Sequence, residues 1–505
     1  MSPSQIIVLA TPVFFVLIAI ELAIGHRRQR NTYHLADAMS SIGLGMLSQT
    51  SAVFTRLLRI GIYIALFEHV ALWRNDAFWT SLPGWLLALV FYDFCYYWLH
   101  RMSHESAVLW AAHAVHHQSQ DYNLSTALRQ TSSGALLGWV FYVPMALAGV
   151  PPLVFGVVAL IDLLYQFWVH TEQVGRLSWF DRWFCSPSNH RVHHAVNDAY
   201  LDKNYGGILI LWDRIFGTFK DEDDKEKCVY GTRGLLNSWD PLWANAQVYA
   251  GLAHDSWHTR RWGDKLRVWL KPPGWRPADV AQRFPKPAFD IARMPRYNPA
   301  MTPATRWFAC VQFVLLLAGV SVFLWHADSA PLAHNTAWFA ALLATQWALG
   351  AVVQGRISMP LALMIEAGAL ATATSAVGWT EWHLVFKPLT MVIAIILVAA
   401  CALSISARGR FDAKPWVTMV LALGLSLAGD VFLMLDGLFI PGLVSFLGAH
   451  LAYIALFRQG VPWFAHRGAL VTTLAVGAAM YAFLWAGGLP AALRGPVAAY
   501  VLVIA

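Results

Sequence analysis

Charged residues are scarce in this chain of 505 residues. Asp, Glu, Lys and Arg make up 13% of it, against roughly 25% in ordinary soluble domains, whereas hydrophobic residues reach 57%. Apolar runs of about 20 residues recur, which is the length that crosses a bilayer as a helix. The composition excludes an ordinary soluble protein and predicts an all-α integral membrane protein built from helical bundles.

Cysteine is also sparse, with five residues and no Cys-x-x-Cys spacing, which excludes a disulfide framework and a thiolate metal site. No glycine-rich nucleotide-binding motif is present. The net charge of +7 does not indicate nucleic acid, because basic residues cluster beside apolar runs, as at positions 27–30. Membrane orientation and anionic lipid headgroups account for them there. We expect no nucleic-acid partner.

The apolar runs divide the chain into two membrane domains. We predict a first domain over 1–300, with a polar cap over 171–300, and a second multi-span domain over 301–505. The predicted spans of the first domain are 6–24, 42–67, 82–99, 136–150 and 153–169. Span 6–24 is followed by arginines and lacks a convincing cleavage site, which indicates an uncleaved anchor with its end in the cytoplasm. The alternation of spans then places the residues after 99 and after 169 on that same cytoplasmic face.

Histidines dominate these membrane-proximal segments. Nine of the 19 histidines lie between His100 and His194, and eight of them form three tight clusters. The eight are His100, His104, His113, His116, His117, His190, His193 and His194. Residues three or four apart share a helix face, so each cluster can direct its imidazoles toward a metal. Eight donors are too many for one ion, so we predict two ions with about four ligands each and open positions. His170 is either a ninth ligand or an outer hydrogen-bond donor. Open paired sites beside a bilayer favour oxygen chemistry with iron over hydrolysis with zinc.

The spacing His-x3-His, His-x2-His-His, His-x2-His-His resembles the fatty acid hydroxylase and sterol desaturase superfamily. Within it, residues 97–105, 121–130, 163–172 and 202–219 resemble the alkylglycerol monooxygenase family. The resemblance implies a membrane di-iron enzyme that uses O2 and tetrahydrobiopterin to cleave the ether bond of alkylglycerols and release a fatty aldehyde. The pterin is implied by the resemblance alone, since no short motif in the chain marks a pterin site.

Two carboxylates of this domain are candidates for a role beside the histidines. The resemblance implies a functional role for Glu105, directly after His104, and the alternative is an ordinary interfacial carboxylate. Asp93 precedes His100 by two helical turns on the same face. It either orients an imidazole, as outer partners of metal ligands do, or makes a polar contact within the helical bundle.

Polar residues in the apolar second half stand out at Lys387, Ser426, Asp430 and His450. Ionisable groups within membrane helices are costly and often functional; the alternative is a hydrogen-bond network between helices. These segments resemble the lysoplasmalogenase family, which implies that Asp430 is a catalytic acid or base. That family carries a further aspartate in its last helices, and this chain stops at Ala505. We therefore expect the second domain to be incomplete at its C terminus or to bind lipid only.

The leading functional prediction is a membrane lipid monooxygenase whose partners are a lipid substrate and O2. One alternative is a hydroxylase or desaturase acting on a sterol, carotenoid or fatty acyl chain. Another is a hydrolase acting through the second domain. A metal transporter is disfavoured, because the histidine clusters lie on one face of the membrane and not along a path through it. We expect the inner membrane of a bacterium or the endoplasmic reticulum of a eukaryote as its location.

Overall fold

A computed structural model describes residues 2–407, 412–462 and 466–504. The regular structure in these ranges is helical, with two isolated β-bridges at Phe184–Leu209 and Ala195–Tyr230. Within the same ranges nine helices are long and apolar enough to cross a membrane, and a bent pair, Leu35–Thr55 and Ile60–Val70, makes a tenth. The predicted all-α, multi-pass membrane architecture is confirmed.

The helices follow one another along the chain, with longer connections in the polar segment between α9 and α16. The first nine are α1 (Pro3–Arg27), α2 (Leu35–Val70), α3 (Asp76–Trp79), α4 (Leu82–Glu105), α5 (Ala107–His117), α6 (Leu124–Ala127), α7 (Gly134–Leu137), α8 (Val143–Leu147) and α9 (Pro152–Trp168). The polar segment that follows holds α10 (Phe180–Trp183), α11 (Pro187–His194), α12 (Leu211–Phe216), α13 (Pro241–His258), α14 (Trp262–Leu270) and α15 (Ala278–Arg283). The remainder are α16 (Pro303–His326), α17 (Leu332–Val353), α18 (Met359–Ala376), α19 (Thr380–Ser406), α20 (Ala413–Leu433), α21 (Phe439–Phe457), α22 (Arg467–Ala486) and α23 (Ala491–Ile504).

One predicted span differs from the structure. Residues 136–150 do not form a single helix, because α7, the 3-10 helix Gly138–Tyr142 and α8 succeed one another there. Pro144 stands in the first turn of α8, and a proline lacks the N–H that a continuous helix needs. The following helix α9 begins at Pro152 and has 17 residues, which is at the short limit for a membrane span.

Aromatic packing fixes the helices that lead to the histidines. Tyr92 of α4 stacks on Tyr142 with ring centroids 4.8 Å apart, and Tyr63 of α2 stacks on Phe155 of α9 at 4.0 Å. The Tyr63 hydroxyl also donates to the Val150 carbonyl at 2.9 Å. Such buried aromatic contacts dominate core energetics, so α4 is held rigidly up to its histidine-bearing end.

The chain divides into two compact units, Met1–Ala330 with Leu349–Arg356, and Pro331–Ala348 with Ile357–Ala505. The division lies later than the change in composition near residue 301. Helix α16 packs against α1 and α2 and therefore belongs to the first unit. In the second unit, α20 and α21 approach closely: a Cβ added at Gly429 would lie 2.7 Å from the Phe446 ring. Small residues permit this close packing of membrane helices.

Candidate metal centre

Three helix segments present the clustered histidines. His100 and His104 lie in the last turns of α4, and α5 carries the second cluster near its C-terminal end. Helix α11 begins where the Ser186 side chain accepts a hydrogen bond from the Asn189 N–H at 3.3 Å, followed by Pro187 at its first position. A serine cap followed by proline is a strong helix start. The position of this helix start determines which face of α11 carries the third cluster, and that face points inward.

The nine histidines assemble into two groups of potential ligands. In each group, the ligand atoms lie within 4.8 Å of one another. The first group consists of His100, His104, His113, His117 and His193. The second group consists of His116, His170, His190 and His194.

The spacing of Nε2 atoms suits one ion in each group. In the first group, Nε2 of His113 lies 3.1 Å from that of His100 and 3.0 Å from that of His117. In the second group, Nε2 of His190 lies 3.1 Å from that of His170 and 3.2 Å from that of His194. With a metal–nitrogen distance of about 2.1 Å, ligands at right angles lie roughly 3.0 Å apart and tetrahedral ligands roughly 3.4 Å apart. The observed separations are those of neighbouring ligands on a shared ion.

The sequence clusters do not correspond one-to-one to the groups. In α5 the pair His113 and His117, four residues apart, joins the first group, whereas His116 joins the second. In α11 the pair His190 and His194 joins the second group, whereas His193 joins the first. Residues at i and i+4 overlie one another more closely than i and i+3 do. Each of these two helices therefore contributes a pair to one group and a single ligand to the other.

Backbone carbonyls orient four of the imidazoles. In each case the Nδ1–H group donates to a carbonyl oxygen and leaves Nε2 directed into the group. The pairs are His100 with Tyr205 at 2.8 Å, His116 with Arg129 at 2.9 Å, His170 with Gln166 at 2.8 Å and His193 with Lys203 at 3.0 Å. Such outer hydrogen bonds select the tautomer and hold the ring of a metal-binding histidine.

Two buried aspartates hold the loop that supplies the Lys203 and Tyr205 carbonyls. Asp213 accepts hydrogen bonds from the backbone N–H groups of Tyr205 and Gly206, each at 2.8 Å. Asp93 accepts from the backbone N–H groups of Ile208 and Leu209 at 2.7 and 3.0 Å, and from the indole N–H of Trp212 at 2.8 Å. Of the two alternatives for Asp93, these hydrogen bonds favour a polar contact: Asp93 holds the loop whose Tyr205 carbonyl accepts from His100.

The protonation state of the histidines suits metal binding. Burial, followed by repulsion between neighbouring imidazoles, holds the pKa values of His113, His117 and His193 well below the usual 6.5. Burial lowers the pKa of His116 to about 4. The Nε2 atoms of His104 and His193 are buried without a hydrogen-bond partner. Neutral imidazoles with unpartnered buried nitrogens are a fitting donor set for metal ions.

Two arginines tie the metal-binding helices to their surroundings. Arg129 is fully buried, and its Nε donates to the Val115 carbonyl at 2.7 Å. Arg191 of α11 makes a bidentate contact with Glu222, with both N–O distances 2.8 Å, and donates to the Val174 carbonyl at 2.7 Å. The sequence analysis did not identify these residues, although Arg129 lies in the segment 121–130 that carries the family resemblance.

The other sequence-predicted site residues lie apart from these contacts or in the second unit. The Glu105 carboxylate pairs with the Arg101 Nε at 2.8 Å and is 42% exposed. In the second unit, Lys387 of α19 pairs with Asp430 of α20 at 3.1 Å. His450 of α21 donates from Nδ1 to the Phe446 carbonyl of its own helix at 2.7 Å. Lys387 and Asp430, which both stand out in the sequence as polar residues, thus form an ion pair in the structure, and the catalytic roles of Glu105 and Asp430 stay predictions.

Comparison with known proteins places both units in families. Residues 85–218 match the sequence model described as Fatty acid hydroxylase, and residues 382–505 match the YhhN family. The alkylglycerol monooxygenase of Homo sapiens is 37% identical over 61% of this chain and 69% of its own length. That of Danio rerio is 39% identical over 61% of this chain and 68% of its own. The chain belongs to the alkylglycerol monooxygenase family.

A more distant relative is the ornithine lipid hydroxylase OlsE of Rhizobium tropici, 30% identical over 34% of this chain and 52% of its own length. No solved structure matches the chain significantly. Membership in the alkylglycerol monooxygenase family makes the protein an oxygen-dependent lipid oxidoreductase of the membrane. The family and the two histidine groups indicate that it binds iron.

Proposed function

We propose that the protein is a di-iron monooxygenase that cleaves the ether bond of alkylglycerols with O2 and a reduced pterin. The observation that carries this proposal is the pair of buried histidine groups, each with ligand-like spacing and together using all nine predicted histidines. The relatives at 37% and 39% identity are alkylglycerol monooxygenases, which supports the substrate class. The arginines at 27–30, which follow α1, favour a cytoplasmic location for the groups.

Iron held by the two histidine groups would supply the activation of O2: one oxygen atom would enter the C–H bond beside the ether oxygen and the other would leave as water, with two electrons from the reduced pterin and two protons. The resulting hemiacetal separates into a fatty aldehyde and glycerol. The chain contributes the positioning. Carbonyls of Tyr205, Arg129, Gln166 and Lys203 hold four imidazoles, and the rigid ends of α4, α5 and α11 carry the rings. Preorganised ligands of this kind would hold the ions without rearrangement of the rings.

This function is tested with purified protein in detergent, by measuring metal content, oxygen uptake and aldehyde release together. We expect about two irons per chain, and oxygen uptake that requires both an alkylglycerol and reduced pterin. Feeding a sterol or a free fatty acid in place of the alkylglycerol is the control for the alternative hydroxylase and desaturase activities. Protein that holds zinc alone and consumes no oxygen contradicts the proposal, and a hydroxylated sterol or acyl product favours the alternative.

A second activity is proposed for the unit that matches the YhhN family. The Lys387–Asp430 ion pair between α19 and α20 places a carboxylate and an ammonium among apolar helices, where such groups are expected to be functional. Hydrolysis of a vinyl ether adds water across the double bond and yields an aldehyde and an alcohol. Asp430 would act as the acid or base that moves a proton from water to the double bond in this step.

We expect Asp430→Asn to lower oxygen-independent aldehyde release from a lysoplasmalogen by about 100-fold or more, the usual contribution of a general acid or base. The matched control is Asp436→Asn, an exposed aspartate in the turn after α20, which should leave the rate unchanged. Aldehyde release is measured under argon, so that the first unit contributes nothing. Equal rates for the two variants would mean that Asp430 has no catalytic part.

A further inference from the structure

A cavity of about 410 Å³ lies beside the second histidine group. Its walls include Gln120, Tyr122, Glu172, Cys228, Tyr230 and Arg296. Its volume is in the range of small-molecule sites, roughly 300–1,000 Å³. The cavity shares no residue with either histidine group.

The walls of the cavity come from polar segments that lie outside the apolar helices. They include residues 31–32 after α1, 120–122 after α5, 172 after α9 and 228–230 in the predicted cap. Asp121 is paired with Arg296 and accepts from the backbone N–H of His34 at 2.9 Å. The lining thus combines polar groups that can form hydrogen bonds with the apolar surfaces of the two tyrosine rings, Val229 and Met294. Such a lining suits a flat ligand with a polar edge.

An aromatic pair connects the cavity with the second histidine group. Tyr122 stacks on Tyr230 with ring centroids 4.9 Å apart and an interplanar angle of 18°. On the opposite side, the Tyr122 ring lies 5.7 Å from the His170 ring and 5.3 Å from the His194 ring. The Tyr122 hydroxyl donates to the Val169 carbonyl at 3.0 Å, which fixes the ring. A planar ligand against Tyr230 would be separated from the metal-binding imidazoles by two stacked rings.

The charge that a ligand meets in the cavity is that of Glu172. Arg296 is engaged by Asp121, whereas the Glu172 carboxylate accepts a hydrogen bond from the neutral Tyr230 hydroxyl. A carboxylate binds two parallel N–H donors in a bidentate manner. An aminopyrimidinone ring, with its amino group and ring N–H side by side, presents such a pair of donors along with a flat face for stacking.

We propose that this cavity binds the reduced pterin, with the aminopyrimidinone edge on Glu172 and the ring face against the tyrosine pair. The inference rests on the proposed function for its cofactor and adds the location and the recognising residues. The donor set matches both requirements of a pterin, a carboxylate for its N–H edge and aromatic rings for its face. The location places an electron donor next to the second histidine group and away from the lipid.

Binding is measured directly by anaerobic equilibrium dialysis of tetrahydrobiopterin against the purified iron-loaded protein. We expect Glu172→Gln to weaken binding by about 10- to 100-fold, the range for hydrogen bonds to a charged group, with iron content unchanged. Tyr230→Phe, which removes only the hydroxyl, should weaken it by about fivefold or less. The matched control is Asp198→Asn, an exposed carboxylate paired with Arg233, which should bind as the wild type does.

A second measurement does not depend on the stability of these variants. In the wild type, tetrahydrobiopterin should slow the alkylation of Cys228, which lines the cavity, relative to the rate in the same protein without pterin. Three results would each overturn the assignment of the cavity. They are wild-type affinity for pterin in Glu172→Gln, equal losses of affinity in Glu172→Gln and Tyr230→Phe, and a Cys228 that pterin does not protect from alkylation. A wild type that binds no pterin would instead overturn the proposed pterin dependence, so the two failures are distinguishable.

Discussion

Replacement of His190 by glutamine is expected to abolish lipid oxygenation and to empty one of the two metal positions. Nε2 of His190 lies 3.1 and 3.2 Å from those of His170 and His194, so its loss breaks the second group at its centre. The first group shares no ligand with the second. Metal content should therefore fall from about two ions per chain to about one, and activity by more than the roughly 10- to 100-fold that loss of an outer partner costs.

The control for His190→Gln is His254→Gln. His254 belongs to neither group and lies on α13, 43% exposed, with its Nδ1 3.1 Å from Asp255. This variant should keep both metal content and activity. A companion variant, His113→Gln, should empty the first position and spare the second. Full metal occupancy in His190→Gln, or simultaneous loss of both ions in each ligand variant, would contradict two separate groups.

The sequence predicted which histidines belong to the site. It did not predict how they divide between the two groups. Histidine spacing at i, i+3 and i+4 in α5 and α11 indicated shared faces, and the alternation of spans indicated that the clusters meet. The sequence gives no indication that His116 and His193 each leave their own cluster for the opposite group. That exchange depends on how α5 and α11 face each other, which is a tertiary property.

The backbone carbonyls that orient the imidazoles were likewise not predictable from the sequence. Residues 202–219 were prominent only as a family resemblance, and their physical role is to supply the Lys203 and Tyr205 carbonyls to His193 and His100. Any residue can offer a backbone carbonyl, so no side-chain pattern marks it. The break in the predicted span 136–150 had a visible cause in Pro144, but apolarity over the whole run outweighed that one residue.

We expect the largest effect on stability from the replacement of a buried charged residue, Arg129. This side chain is fully buried, and burial lowers its pKa to about 10. Its Nη1 lies 3.4 Å from the Ser41 hydroxyl, which in turn donates to Asp37 at 3.2 Å. Asp37 is also buried and accepts from the Gln120 N–H at 3.1 Å. Removing one member of such a pair leaves an uncompensated charge in the interior.

We expect Arg129→Met to lower the free energy of unfolding by about 3–5 kcal/mol, the usual cost of breaking a buried charge pair. Unfolding is followed by denaturant titration in mixed micelles. In the double variant with Asp37→Asn, the loss should be smaller than the sum of the single losses by about 0.5–3 kcal/mol, because the two charges are coupled.

Arg267→Met is the control, since Arg267 is 64% exposed in its pair with Asp264 and such pairs contribute about 0–1 kcal/mol. Additive losses in the double variant would show that Arg129 acts through packing and not through charge.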